Sequence, residues 1–299
     1  MLGVRSFFKT ILIVILVFIA FSVIGGIYRF FVPDQSSFHA ANIGVIEVEG
    51  VITTSMPVME QLAKLQENKN LKALVVRIES PGGAVGASQE IYMELKKLRD
   101  KMPVVVSMGD VAASGGLYVS LGGAKVFALP GTLTGSMGVL LQLTSFHRLM
   151  EKAYLDPVTI RSGDLKDAGN PTKALSPEAK KYFESLIGIT FQSFKKTVQE
   201  ERKLTDEAVQ VLSDGRVVDG ATAVTLKLVD EIGTFNDAVN AAKEMAKIDG
   251  EPKLAFLSRE PESFIQKLVH EVSLPLRKYM NQSFKGLEFR WDPGAASAL

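Results

Sequence analysis

The sequence predicts an α/β domain carried behind one membrane-spanning helix, and three observations predict it. The chain has 299 residues, 46% of them hydrophobic and 22% charged, with Gly and Pro at ordinary levels, so collagen-like, low-complexity and wholly disordered chains are excluded. Residues 10–27 read TILIVILVFIAFSVIGGI without a charge, about the length a helix needs to cross a bilayer core. From Ile43 onward, short β-branched runs alternate with longer amphipathic stretches, which is how α/β units read.

The apolar run is expected to be an anchor over residues 10–28, behind a short cytoplasmic segment at 1–9. Arg5 and Lys9 precede the run and Arg29 alone follows closely, which by the positive-inside rule leaves the N-terminus cytoplasmic and exports the rest. A cleaved signal peptide is the alternative. The run is long for such a segment, however, and the downstream SSFHAAN lacks a small-x-small cleavage site. Residues 29–42 then act as a linker, 43–290 form the folded domain and 291–299 a loose tail.

Within the domain, IGVIEVEG (43–50), LKALVVRIES (71–80) and PVVVSM (103–108) read as strands. The second has the near-continuous apolar run of a strand covered on both faces. Ala84, Ala87, Ile91, Leu95 and Leu98 recur at helical spacing, with Lys96, Lys97 and Arg99 near the negative helix end. KVFALP (125–130) and YLDPVTIR (154–161) are further strand candidates. After Ala174, Ser176 is placed to cap a long helix and Pro177 fits its first position. Phe183, Leu186, Ile187, Phe191, Phe194 and Val198 mark the face it should bury. Helical patterns follow at 206–212, 221–228 and 235–247, then a strand-like KLAFLS and an amphipathic stretch at 262–272.

Charge and composition narrow the chemistry. A formal charge of +1 gives no clustered basic surface for phosphates, so nucleic acid is not an expected partner. The absence of Cys removes disulfides, thiolate metal sites and a cysteine nucleophile. No Walker A pattern occurs, the three His are far apart, and neither cofactor nor metal is expected.

Four segments join small residues to a reactive group: ESPGG (79–83), DVAASGG (110–116), TGSMGV (134–139) and SGDLKDAG (162–169). Ser114 follows a strand and opens a helix through Leu117, Val119 and Leu121. Its hydroxyl therefore lies near free N–H groups and the positive end of the helix dipole. Gly115 and Gly116 leave the approach to it clear. The same letters also describe a serine that merely caps a helix. A serine nucleophile needs a base. His147 in SFHRLM would serve a Ser/His/Asp arrangement but reads as a partly exposed helical residue, while His39 and His270 lie outside the Gly-rich segments. Lys166 offers an amine, although Asp164 and Asp167 beside it favour its charged form. Gly82 and Gly83 either turn N–H groups toward a ligand oxygen together with Gly115 or form an ordinary turn. Ser136 either orients the Lys or stabilises a turn.

In order and spacing, SPGG, AASGG, TGSMGV and SGDLKDAG resemble the signal peptide peptidase A family in its short, single-copy bacterial form, over residues 43–233. The resemblance implies a Clp-protease/crotonase-like α/β fold and a serine protease working through a Ser/Lys dyad. Ser114 matches the nucleophile, Lys166 the general base and Ser136 the hydroxyl that holds the Lys; the N–H groups of Gly83 and Gly115 match the oxyanion hole. It also implies peptide substrates, above all signal peptides already released from preproteins. A homo-oligomeric ring would share its sites between protomers, with the catalytic domain on the outer face of a bacterial cytoplasmic membrane. For the dyad to work, the tip of Lys166 is expected to be sheltered. One departure is LKLVDEIG (226–233), where the family has GLVD: Lys227 replaces the Gly, at a cost of about 1 kcal/mol if the position needs positive φ.

Three other readings share parts of this pattern. A crotonase-type acyl-CoA enzyme needs neither the Ser/Lys pair nor an anchor. A related membrane protease would clip an intact membrane protein instead of a released peptide. A silent, membrane-anchored scaffold would keep the fold and cut nothing.

Overall fold

The structure is a computed structural model and describes residues 40–65, 67–257 and 287–290. The expected anchor at 10–28, His39, the 262–272 stretch with His270, and the tail at 291–299 lie outside the described residues. Among the described helices none is long and apolar enough to cross a membrane.

The core is a mostly parallel sheet. Its strands are β1 (Ile43–Glu49), β2 (Ala73–Ser80), β4 (Val104–Ala113), β5 (Lys125–Ala128), β6 (Leu133–Gly135), β7 (Val217–Asp219), β8 (Glu231–Ile232) and β9 (Leu254–Phe256). The main path runs β7-β6-β4-β2-β1-β9, with β5 and β8 branching from β4; only β6 and β7 pair antiparallel. A short strand, β3 (Gly82–Ala84), stands apart from this sheet and pairs antiparallel with β10 (Glu288–Arg290).

The helices are α1 (Met56–Leu65), α2 (Val85–Arg99), α3 (Gly115–Ser120), α4 (His147–Lys152), α5 (Pro177–Arg202), α6 (Asp206–Leu212), α7 (Gly220–Thr225) and α8 (Phe235–Met245). Side chains alternate between the two faces of a strand. One set, Ile43, Val45, Val75, Val105 and Phe127, packs with Ala238, Val239 and Ala242 of α8. The sheet also touches α3, so β2 and β4 are covered on both faces; hence their unbroken apolar runs. This is the α/β arrangement the alternating pattern predicts.

Two expectations need correction. Residues 154–161 form no strand and, Pro157 apart, are exposed. A β-branched run becomes a strand only where a neighbour supplies hydrogen bonds and packing, and the chain gives this one none. The long helix begins where expected, with the Ser176 hydroxyl accepting from Ala179 N–H at 3.1 Å and Pro177 at its first position. Its apolar face, however, is fully buried only at Ala179, Phe183, Phe194 and Val198. Leu186, Ile187 and Phe191 are half-buried, and the helix packs closely again further along. There Phe194 sits 5.0 Å from the Tyr118 ring and Tyr118 shares a 3.0 Å hydrogen bond with Thr197. Cutting Phe194 to Ala would cost about 3–5 kcal/mol and loosen the seat of α3.

Candidate active site

The site is assembled by the way β4 ends. β2 and β4 pair in steady register up to Ile78 and Met108. The next pair is Ser80 with Ala112, so β4 carries extra residues across a bulge. Bulges bend a strand and re-aim the residues beyond. Glu79 holds this one: its carboxylate accepts from the N–H groups of Asp110 and Val111, both at 3.0 Å. A Cβ at Gly109 would lie 1.6 Å from that carboxylate, so any side chain there would have to push Glu79 off the bulge.

β4 then delivers Ser114 to the head of α3, with φ 54° and ψ −109°. For a residue with a side chain this backbone is strained by about 1–3 kcal/mol. The strain buys no helix cap, because the Ser114 side chain accepts no capping hydrogen bond. Ser114 is 1% exposed, and its Oγ is a buried polar atom without a partner among the described residues. Leaving such a group unpaired costs about 1–3 kcal/mol. A capping serine would accept a hydrogen bond from its own helix, and this one accepts none.

Two amides flank it. A Cβ built on Gly115 would stand 3.0 Å from Gly83 N and 2.6 Å from Ser88 Oγ, which puts the two glycine main chains side by side. A Cβ on Gly83 would meet Ile52 O at 2.1 Å, because β3 is clasped by the chain at Ile52. The clasp consists of Ile52 N–H to Gly82 O at 2.9 Å and Ala84 N–H to Ile52 O at 2.7 Å. Close backbone approach thus requires Gly83 to be a glycine, and the main chains of Gly83 and Gly115 lie together at the head of α3.

TGSMGV arrives through strand pairing. β6 lies beside β4 with Gly135 opposite Ala113, and Ser114 N–H donates to Gly135 O at 2.9 Å. Ser136 follows directly, 7% exposed and also at positive φ, 51°, with its N–H donating to Arg216 O at 2.7 Å. The fold therefore gathers three of the four segments around one hydroxyl.

The fourth stays apart within one chain. Lys166 lies in an exposed turn, its N–H donating to Gly163 O at 3.1 Å, and it is not a partner of Ser114 Oγ. The shelter expected for its ammonium is thus not supplied by its own chain. Its acidic neighbours are drawn elsewhere. Asp167 accepts from Lys173 at 2.9 Å and from Arg161, and these two hold its carboxyl below the usual carboxylate range. Asp164 faces Arg161 at 3.7 Å. Both carboxylates beside Lys166 thus pair with other cations. His147 is on the exposed face of α4, 3.4 Å from Glu151, and no triad forms around it among the described residues.

Glu79, Ile52 and Leu140 are not singled out by sequence reasoning. Glu79 carries a signal, the one acid in strand β2. Ile52 and Leu140 act through main-chain atoms, which leave no mark on residue type.

Comparison with known proteins finds protease relatives. The model of Peptidase family S49 matches residues 96–249 and that of Clp protease residues 39–134. The protein slr0021 of Synechocystis sp., a protease by its name, is 39% identical over 228 residues, 76% of this chain and 82% of its own. An Enterococcus faecium protein named for signal peptide peptidase SppA is 36% identical over 64% of this chain and 56% of its own length. Protease 4 of Salmonella typhi is 36% identical over 63% of this chain, which spans 30% of that longer protein. Among solved structures, a serine-to-alanine mutant of the 1510-N membrane-bound stomatin-specific protease aligns over 73% of this chain and 98% of its own, at 15% identity with a TM-score of 0.47.

Proposed function

The chain belongs to peptidase family S49 and is a serine protease of Clp-protease-like α/β fold; from that premise we propose that Ser114 is its nucleophile and that Lys166 of a second copy is its general base. The observation that carries the reading is the buried Ser114 Oγ, held on a strained strand-to-helix turn with no partner among the described residues. An atom kept at that cost is kept for a reaction.

A neutral Lys166 amine takes the Ser114 proton, Oγ attacks the peptide carbonyl, and the Gly83 and Gly115 N–H groups hold the oxyanion. The lysine passes its proton to the leaving amine, and water then releases the acyl group. Ser136, two residues beyond the Thr134 that is tied to Ala112 O at 2.7 Å, offers a hydroxyl to keep the lysine in place.

Supply of Lys166 from a neighbour is favoured by the surface around it. Tyr154, Val158 and Ile160 are 96%, 84% and 97% exposed on the stretch leading to Lys166. An apolar stretch left so bare is what a second copy would cover, sheltering the amine as it does so. Such a ring of chains would be anchored by residues 10–28 with its sites outside the cytoplasmic membrane. Signal peptides left in that membrane are the substrates we assign, since they are apolar and extended at their cut ends.

Mixing Ser114→Ala chains with Lys166→Ala chains tests the reading. Each alone should hydrolyse a fluorogenic peptide at under about 1% of the wild-type rate, and the mixture should recover a measurable fraction. No recovery in particles shown to contain both chains refutes the shared dyad. Full activity in Lys166→Ala refutes the base itself.

A further inference from the structure

β2 ends in Glu79 and Ser80, and both side chains bond to segments outside their own strand. Neighbouring residues of a strand face opposite ways, so the two reach different segments. Glu79 takes the bulge of β4, which leads to Ser114. Ser80 takes the turn that leads to Gly83. It is wholly buried, and its Oγ donates to Gly50 O at 2.6 Å and accepts from Gly82 N–H at 3.1 Å. Gly50 N–H donates in turn to Glu79 O at 2.9 Å. One hydroxyl thus joins the chain leaving β1 to the turn between β2 and β3.

That turn decides where Gly83 aims its N–H. The peptide between Gly82 and Gly83 is planar, and no cis peptide occurs among the described residues, so its C=O and N–H point opposite ways. Ile52 N–H binds the C=O at 2.9 Å, which directs the Gly83 N–H away from Ile52. The Gly115 main chain stands beside that nitrogen, since a Cβ built on Gly115 would lie 3.0 Å from it. Gly82 itself sits at φ 96°, without a side chain to restrain it. Its C=O is held by Ile52, and its N–H by Ser80. Released from Ser80, the peptide plane can swing about the Gly82 Cα and carry the Gly83 N–H with it.

We propose that Ser80 is a positioning residue of this enzyme: its hydroxyl, bonded to the Gly82 N–H, sets the angle at which Gly83 presents its own N–H to the oxyanion. The inference rests on the hydrolytic reading in which Gly83 supplies that donor. Ser80 touches no reacting atom and acts only through Gly82. A donor that swings out of line matters most when charge gathers on the carbonyl oxygen, which happens in the transition state and not in the bound substrate. The loss therefore falls on kcat and leaves KM in place.

Ser80→Ala in the full-length chain tests this, with a fluorogenic peptide as substrate and a peptide aldehyde of the same sequence as inhibitor. Ser114 adds to the aldehyde to form a hemiacetal whose oxygen takes the place of the oxyanion, so its Ki reports the donors directly. With active sites titrated, kcat should fall about 10–10²-fold, KM should stay within about twofold, and Ki should rise by the factor that kcat/KM loses. A merely structural role would lower the number of folded sites and leave Ki where it is. Wild-type kcat in Ser80→Ala, or a lower kcat with unchanged Ki, overturns the inference. Should Ser80→Ala not fold, Ser80→Cys takes its place, since a thiol keeps the shape but is a weak donor and acceptor; the same two readouts then decide. Gly83→Ala run beside it separates the two readings. Wild-type activity in Gly83→Ala removes the oxyanion assignment underneath, whereas an impaired Gly83→Ala beside an unimpaired Ser80→Ala overturns the role of Ser80 alone.

Discussion

Replacing Gly83 with Ala tests the oxyanion assignment with the least chemistry. The added methyl carbon would lie 2.1 Å from Ile52 O, 2.6 Å from Ile52 C and 2.7 Å from Ile52 N, all main-chain atoms. Ordinary carbon–oxygen approach is about 3.3 Å, so β3 and the Ile52 segment must part by about 1 Å. The N–H of residue 83 moves with its strand. Loss of one oxyanion donor costs about 10²–10³ in kcat, and misplacement by about 1 Å costs about 10². We therefore expect kcat/KM for a fluorogenic peptide to fall by about 10²–10³, with Ser114 still present and the fold still formed. Gly86→Ala, with open space around the new Cβ on α2, is the matched control and should keep wild-type activity. Stopped-assay kinetics with circular dichroism melts on both variants make the comparison. A folded Gly83→Ala enzyme within about threefold of wild type would refute the placement of the oxyanion at Gly83.

Three other outcomes follow from the same geometry. With a lysine base that works only as the neutral amine, kcat/KM should climb as pH rises across the neutral and alkaline range; a flat profile measured on intact enzyme excludes Lys166 as the base. Glu201 of α5 receives Lys96 at 2.5 Å, Tyr92 at 2.7 Å and Arg99 at 2.9 Å. Burial pushes its carboxyl up, but the bonds from Lys96, Tyr92 and Arg99 outweigh that and hold it below the usual range. Burial first, then Glu201, pushes Tyr92 up to about 12. Because the folded carboxylate has the lower value, its stabilisation is complete above the unfolded pKa of about 4.3 and is lost as pH falls through the folded one. Glu201→Gln should cost about 2 kcal/mol at pH 7 in urea unfolding, and the gap to wild type should close below about pH 4. Lys227 has φ 59°, and Arg202 bonds only its carbonyl, at 2.8 Å. Lys227→Gly should therefore raise stability by about 1 kcal/mol, read as a higher melting temperature.

Much of the fold is legible in the residues alone. The strands at 43–49 and 73–80 show in their β-branched runs, and α6 and α8 in their spacing. The positive φ at Lys227 shows in the Gly that the family pattern has there. Ser114, Gly83, Gly115 and Ser136 stand out as residue types, and strand pairing supplies what letters cannot, the side-by-side approach of three distant segments. The hidden parts have physical reasons. The clasp of Ile52 on β3 and the pairing of Leu140 with β10 are main-chain events, indifferent to side chain. The run at 154–161 has strand composition but no strand partner among the described residues, and composition alone cannot tell a strand from an exposed apolar stretch. Lys166 lies in the exposed polar turn its neighbours suggest, and the shelter expected for it is not seen in its own chain.

Every residue of α3 is buried, and that has a consequence for how the enzyme fails. Surface catalytic loops fray before their scaffolds, so activity fades ahead of melting. Here the hydroxyl we propose as the nucleophile heads a wholly buried turn packed on β2 and β4, and it should be unseated only when the central sheet opens. Amide hydrogens at residues 117–121 should exchange as slowly as those of β2, and heat should take away labelling of the serine and the folded state in a single step.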